Sequence, residues 1–174
     1  MNDRVAQAVI KMIRFYKEES DVVIHDVNHF MKVWGFARTI GTAEGLDPMT
    51  QETLELAAIA HDIACPLCRR KYGNADGKAQ EREGGALTLD FYKEFSLPAE
   101  QLDRICYIVA HHHTYDGVDG LDWQIMLEAD FLVNADESGL GGEAIKNFKR
   151  RVFRTETGCR LLDSMYKRSG YGRI

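Results

Sequence analysis

Apolar residues recur every three or four positions along most of the chain, and this spacing predicts helices. In the first segment, Val5, Val9, Met12 and Tyr16 share one face of a helix over residues 3–19. The same spacing predicts further helices over residues 29–40, 48–64, 79–95, 97–113, 122–133, 143–153 and 156–167. No alternation of apolar and polar residues is sustained, and no hairpin dipeptide separates two β-rich runs. The pattern therefore predicts an all-α fold.

Residues 65–78 interrupt this pattern with one proline, two glycines and many charges, and they predict a loop. Pro66 would end the third helix, and a loop of this length often forms a lid or the rim of a site. Two helix starts are also indicated. Asp47 stands directly before a proline, and Asp122 opens the sixth helix, so each carboxylate can cap a helix N-terminus.

The composition fits one globular domain, because the chain has 174 residues, of which 45% are hydrophobic and 28% are charged. We expect a single domain over residues 1–174, with a core at about 20–140 and C-terminal helices at 143–168 packed on it. The net charge of −5 disfavours a nucleic-acid polymer as partner, since domains that bind one usually present a basic face. No apolar run has the length of a membrane span, so no membrane partner is expected.

The four cysteines are scattered and do not form the disulfide framework of a small secreted domain, so a reducing cytoplasm is the expected location. Cys65 and Cys68 make a Cys-x-x-Cys pair, which can be half of a zinc site or a redox pair. Zinc would need two more ligands of the same kind, and Cys106 and Cys159 stand alone on predicted helices. Two ordinary loop thiols are the preferred interpretation.

Polar side chains that bind metals interrupt several apolar stripes. His61 and Asp62 stand side by side in an otherwise apolar helical run, and His29, His112 and Asp130 fall on the buried faces of other predicted helices. A single buried histidine is more often a hydrogen-bonded core residue than a ligand. Carboxylates and imidazoles on separate helices are a different case, because burying them is costly unless they meet each other or a shared cation.

Neutral imidazoles with carboxylate oxygens suit a divalent ion such as manganese, iron, cobalt, nickel, zinc or magnesium. The residues alone thus favour a metal site inside a helical bundle. Their order along the chain, His29, then His61-Asp62, then Asp130, resembles the His…His-Asp…Asp pattern of the HD-domain metal-dependent phosphohydrolases. The resemblance covers about residues 20–140 and extends to small stand-alone bacterial members whose substrates are mostly unassigned. It implies a single all-α HD-domain bundle in which these four residues hold one metal ion.

The resemblance leaves the number of ions open. The pair His111-His112 resembles the paired-histidine segment of dinuclear branches, in which Asp62 would bridge two ions. Those branches carry a further histidine at the start of the intervening helix, where this chain has Glu81 and Glu83. Both glutamates and both histidines are therefore candidates for a second ion. With one ion only, the two histidines would contact substrate phosphate or act as acid and base.

The activity implied by the resemblance is hydrolysis of a small phosphate ester, with a nucleotide among the candidates, by attack of hydroxide bound to the metal. Asp62 would bind the ion and orient the attacking water, so Asp62, His111 and His112 are the expected catalytic residues. A small phosphorylated molecule is the expected partner, and a homodimer is one candidate assembly.

Phosphate binding needs cations beyond the metal. Lys32, one turn after His29, and Lys78, at the start of the fourth predicted helix, are the candidates for binding the substrate. The basic run at residues 149–151 together with Arg154 is a further candidate, although a solvated helix face explains it more simply.

Two other functions stay open. Some HD-domain relatives with two irons and extra histidine ligands oxidise their substrates, which makes a di-iron oxygenase one alternative. A nucleotide-binding sensor that keeps the metal without turnover is the other. The chain also departs from two branches. It has Cys65 where some mononuclear nucleotidases carry a glutamate, and it lacks the Glu-Asp pair of the alarmone hydrolases. The substrates of the mononuclear nucleotidases and of the alarmone hydrolases are therefore not assigned to this chain.

Overall fold

The structure is a computed structural model that describes residues 3–166, and within this range the regular secondary structure is entirely helical. The helices are α1 (Asp3–Glu19), α2 (Val23–Ala43), α3 (Pro48–Ala60), α4 (Cys65–Tyr72), α5 (Gly77–Tyr92), α6 (Ala99–Val109), α7 (Leu121–Glu137), α8 (Gly142–Val152) and α9 (Glu156–Tyr166). The predicted all-α fold is confirmed. None of these helices is both long and apolar enough to cross a membrane.

Helices α3 and α7 form the centre of the bundle. α3 packs against α1, α2, α6 and α7, and α2 packs against both α3 and α7. Every residue from Glu52 to Ala60 on α3 is buried, as is every residue from Asp122 to Val133 on α7. A helix that is buried on all sides must find partners inside the protein for each polar side chain that it carries.

The buried carboxylates near the start of α3 show how that requirement is met. Glu52 accepts hydrogen bonds from the Arg4 guanidinium at 2.9 and 3.0 Å and from the Gln101 amide at 3.0 Å. Glu55 accepts one from the Trp34 indole at 2.9 Å. Donors from neighbouring helices thus satisfy Glu52 and Glu55. Asp62, which follows the other end of α3, lies beside histidines instead.

The predicted loop at 65–78 is wrong in its first half, because residues 65–72 form α4. α3 ends at Ala60, residues 61–64 form a turn, and Pro66 lies in the first turn of α4 instead of ending α3. Proline has no N–H to donate and its φ suits the first helical turn, so it starts a helix as well as it ends one. Gly73, with a left-handed φ of 75°, then closes α4.

Two further boundaries differ from the predictions. Asp122 does not cap α7, whose N-cap is Gly120. Its carboxylate accepts hydrogen bonds from Arg104 instead, at 2.6 and 2.8 Å. α6 ends at Val109, so the three histidines that follow lie in a turn and not on the helix. The last predicted positions, 167–168, lie outside the described residues.

Helices α8 and α9 pack against α7, and α9 also contacts α2. The connection between them is anchored by the buried carboxylate of Glu128 on α7, which accepts hydrogen bonds from the backbone N–H groups of Arg154 at 2.7 Å and Thr155 at 3.0 Å. Gly158 passes so close to this carboxylate that any side chain there would overlap it. The end of α8 is thereby held beside α7.

Candidate metal centre

Four segments of the chain bring imidazoles and carboxylates to one place in the core. His29 comes from α2, His61 and Asp62 from the turn after α3, His112 from the turn after α6, and Asp130 from α7. The Nε2 atoms of His29 and His61 are 3.2 Å apart. Asp130 Oδ1 lies 3.4 Å from the first of these nitrogens and 3.6 Å from the second.

Asp62 lies between this group and His112. Its Oδ2 is 3.4 Å from His29 Nε2 and 3.5 Å from His61 Nε2, while its Oδ1 is 3.6 Å from His112 Nε2. The side chain of Asp62 is 22% exposed, whereas those of His29, His61 and His112 are almost entirely buried. The opening of the centre to solvent is therefore at Asp62.

The outer ring nitrogens of the histidines have hydrogen-bond acceptors that fix their tautomers. Nδ1 of His61 donates to the Ala58 carbonyl at 2.8 Å, and Nδ1 of His112 donates to the Val109 carbonyl at 2.7 Å. Nδ1 of His29 donates to a carboxylate oxygen of Glu137 at 2.8 Å. With the hydrogen on Nδ1, each neutral ring presents the Nε2 lone pair to the centre.

The electrostatics of the centre call for a cation. Burial lowers the pKa of His29, but its hydrogen bond with Asp130 and the charge of Asp62 outweigh this effect and raise the pKa to about 10. Burial favours the neutral forms of Asp62 and Asp130, yet the neighbouring histidines hold the pKa of each well below its usual range. Asp130 Oδ1 accepts a hydrogen bond from the Asn134 amide at 2.8 Å, but an amide carries no charge, so a proton on a histidine or an ion must balance the two carboxylates. A divalent ion fits this set of ligands.

A second set of ligand atoms adjoins the first. Asp62, His112 and His113 offer atoms that all lie within 4.8 Å of one another, as do His29, His61 and Asp130. Nε2 of His112 and Nε2 of His113 are buried and have no hydrogen-bond partner within the described residues. Burial, and then the nearby charge of His112, lowers the pKa of His113 to about 4, so this ring is a neutral base at neutral pH.

His113 was not among the predicted site residues. It follows the end of α6, so helical phasing no longer indicates which way its side chain points. The signal that could have found it is the run of three consecutive histidines. A Cβ added to Gly77 would lie 2.7 Å from the His113 ring, so a glycine is needed where α5 begins against it.

Three residues predicted for a second ion lie elsewhere. The His111 ring stacks on Tyr107 and donates to its carbonyl at 2.7 Å, and it belongs to neither set. Glu83 accepts hydrogen bonds at the surface from the side chains of residues 71 and 72. Glu81 accepts from the His113 backbone N–H at 3.1 Å and from the Thr114 hydroxyl at 2.7 Å. It therefore supports the turn that carries the second set.

The two lysines expected at substrate phosphate are each paired with a carboxylate. Lys32 donates to Glu137 at 2.6 Å, and Lys78 donates to Glu81 at 2.9 Å. Glu137 accepts from both Lys32 and His29, so it orients a candidate ligand. The sequence signal for Glu137 is its position about two helical turns after Asp130, on the same face of α7.

Cys65 and Cys68 are unpaired and buried on α4, so they are not the loop thiols that the sequence predicted. Burial raises the pKa of the Cys65 thiol well above its usual range, and the charge of Asp62 adds to the effect. Neither thiol belongs to the two sets of ligand atoms.

The HD domain family model matches residues 26–154, which is most of the chain. The chain belongs to the HD-domain family. The resemblance inferred from its four ordered ligands is thus confirmed, and membership supports a metal-dependent phosphohydrolase in general.

One crystal structure shares the fold of this HD-domain protein. It is a predicted HD superfamily hydrolase from an uncultured Thermotogales bacterium, determined at 1.45 Å. The match has a TM-score of 0.67 and 21% sequence identity, and it covers 93% of this chain and 84% of that chain. Comparison with curated proteins gives no match.

Proposed function

We propose that this HD-domain protein hydrolyses a small phosphate ester, with nucleotides as the first class to test, and that it needs a divalent metal ion to do so. The observation that carries the proposal is the convergence of three Nε2 atoms and two carboxylates at one buried place, where the Asn134 amide donates one hydrogen bond to Asp130 at 2.8 Å. On an HD-domain fold, this arrangement is suited to an ion that acts on phosphate.

His29, His61, Asp62 and Asp130 would hold the first ion. When bound, a divalent ion polarises a phosphoryl oxygen and makes hydroxide available near neutral pH. His112 and His113, together with Asp62, are our candidates for a second ion in place of His111, Glu81 and Glu83. Their support is the distance between ligand atoms and the two buried Nε2 atoms that lack partners within residues 3–166.

Asp62 is our candidate for orienting the attacking water. Its side chain is more exposed than those of His29, His61, His112 and Asp130. It faces both His61 and His112. Substrate must therefore approach from the side of Asp62. With a single ion, the free Nε2 of His112 would face the reacting phosphate and could transfer a proton to or from it.

The test is a panel of phosphate esters and nucleotides, assayed with each of the six candidate divalent ions. We expect turnover with at least one combination and its loss in Asp62→Ala. Asp90→Ala is the matched control, because Asp90 is exposed and its ion pair within the described residues is with Lys93 at the surface. Absence of turnover with every ester and every ion would contradict the proposal. Iron content with oxygen consumption would identify an oxygenase instead, and tight nucleotide binding without product would identify a sensor.

A further inference from the structure

A cavity of about 410 Å³ lies between the loop that follows His113 and the end of α8. Its polar lining differs from that of the metal centre, because it contains guanidinium groups in place of imidazoles. Its lining includes Tyr115, Asp116, Gln124, Arg151 and Arg154.

One residue of the cavity lining, Tyr115, stands two residues after His113. The Tyr115 ring packs edge-on against Phe148 at 5.1 Å between centroids, and Phe148 stacks on Phe131 at 3.6 Å. Phe131 directly follows Asp130 on α7. The chain itself and these aromatic contacts therefore connect the cavity lining to both sets of candidate ligands.

Arg151 differs from the other cations of its region in having no partner. Its guanidinium is exposed and makes no hydrogen bond or ion pair with any residue in the range 3–166. The neighbouring cations are all engaged: Lys146 with Glu143, Lys149 with Asp163, Arg150 with Asn147, and Arg154 with backbone carbonyls at the end of α8. Lys32, Lys78 and Arg69, nearer the centre, are paired with carboxylates.

The cavity therefore offers one uncommitted guanidinium to a ligand. Arg154 adds a second positive charge, and Asp116 contributes one exposed carboxylate at the rim. A planar guanidinium matches the geometry of a phosphate or carboxylate group and binds it through two parallel hydrogen bonds. A single exposed arginine is common on protein surfaces, but here it lines a cavity whose lining includes Tyr115, two residues after the candidate ligand His113.

We propose that this cavity is a second anion subsite, in which Arg151 holds a phosphate or carboxylate group on the leaving-group side of the substrate. The metal centre would take the phosphate that is cleaved. This assignment rests on the proposed function where turnover is concerned, and it predicts that the preferred substrates are phosphate esters that carry a second anionic group.

The first experiment uses inorganic phosphate and metal-free protein, so that the result does not depend on catalysis. In an NMR titration, we expect saturable shifts at the amides of residues 115–121, with affinity about tenfold weaker in Arg151→Gln. Arg150→Gln is the control. It removes the same charge one position earlier in the chain, from an exposed arginine that bonds to Asn147. Equal affinities in the two variants, or no saturable shift in the natural protein, would overturn the subsite.

The second experiment measures turnover of two matched esters. For a nucleoside bisphosphate, Arg151→Gln should raise KM by about tenfold, while KM for p-nitrophenyl phosphate, which lacks the second anion, should stay unchanged. An equal rise in KM for both esters would overturn the subsite. If the natural protein turns over neither ester nor any other in the panel, the proposed function fails, and the phosphate titration still decides the subsite.

Discussion

The two sets of candidate ligands are built in different ways. His29 and Asp130 stand within long helices of the core, and His61 caps α3, so the backbone on which they stand is held by packing on several sides. His112 and His113 stand in a turn beyond the end of α6. That turn is held by hydrogen bonds to Glu81 and from the Trp123 indole, and by the close approach of Gly77.

We infer that the ligands of the first set are fixed in position, whereas those of the second set can shift. A ligand on a packed helix cannot move without disturbing the core, whereas a ligand on a turn moves with a few hydrogen bonds. Asp62 belongs to both sets, because each of its carboxylate oxygens faces one of them.

The largest expected effect separates His113 from His111. If two ions bind, His113→Ala should reduce the metal content from two ions per chain to one, since it removes one of only three ligands in the second set. His111→Ala is the matched control, because its ring stacks on Tyr107 outside both sets. Elemental analysis of the loaded proteins measures this. An ion lost in His111→Ala but kept in His113→Ala would reverse our assignment.

An intermediate effect is expected at Glu137, which orients a ligand of the first set. Glu137→Gln keeps an acceptor for His29 Nδ1 but loses the charge, so metal affinity should fall by about tenfold to a hundredfold. Lys32 holds the same carboxylate, and Lys32→Met should lower the affinity by less. Calorimetric titration of metal-free protein measures both changes. Glu143→Gln, at a surface pair with Lys146, is the control and should leave the affinity unchanged. Equal affinities for Glu137→Gln and this control would remove Glu137 from the centre.

Taken per pH unit, the smallest effect is a pH dependence of metal affinity. In the metal-free protein the pKa of His29 is raised to about 10, because Asp130 and Asp62 outweigh the effect of burial, so the ring carries a proton at neutral pH. The ion must displace this proton. Apparent affinity should therefore increase by about tenfold per pH unit and level off near the pKa of His29. Calorimetry at pH 8 in buffers of different ionisation enthalpy should show about one proton released. No proton release would contradict this account.

The sequence predicted the first set of ligands because helical spacing carries directional information. His29 and Asp130 fall in phase with apolar neighbours such as Val33 and Met126, so their inward orientation follows from position alone. Nothing comparable exists in the turn after Val109, where His111 and His113 differ in orientation although both are histidines. Tertiary contacts with α5 and α7 decide whether His111 or His113 is directed toward Asp62.

The same distinction explains the other differences. The sequence does not predict α4, because a proline can either end one helix or start the next. The turn at 61–64 shows that Pro66 starts a helix here. The pairing of Lys32 with Glu137 cannot be predicted from local spacing, since the two residues are distant in sequence. Local sequence spacing does not predict side-chain pairs between distant helices of the bundle.

The central claim is that one buried ion is held by His29, His61, Asp62 and Asp130. A crystal structure of protein loaded with manganese, with anomalous scattering used to locate the ions, tests it most directly. We expect an anomalous peak about 2.0–2.2 Å from the Nε2 atoms of both histidines and from an oxygen of each aspartate. A protein that binds manganese with no peak at these four residues, or with its only peak elsewhere, would contradict the account.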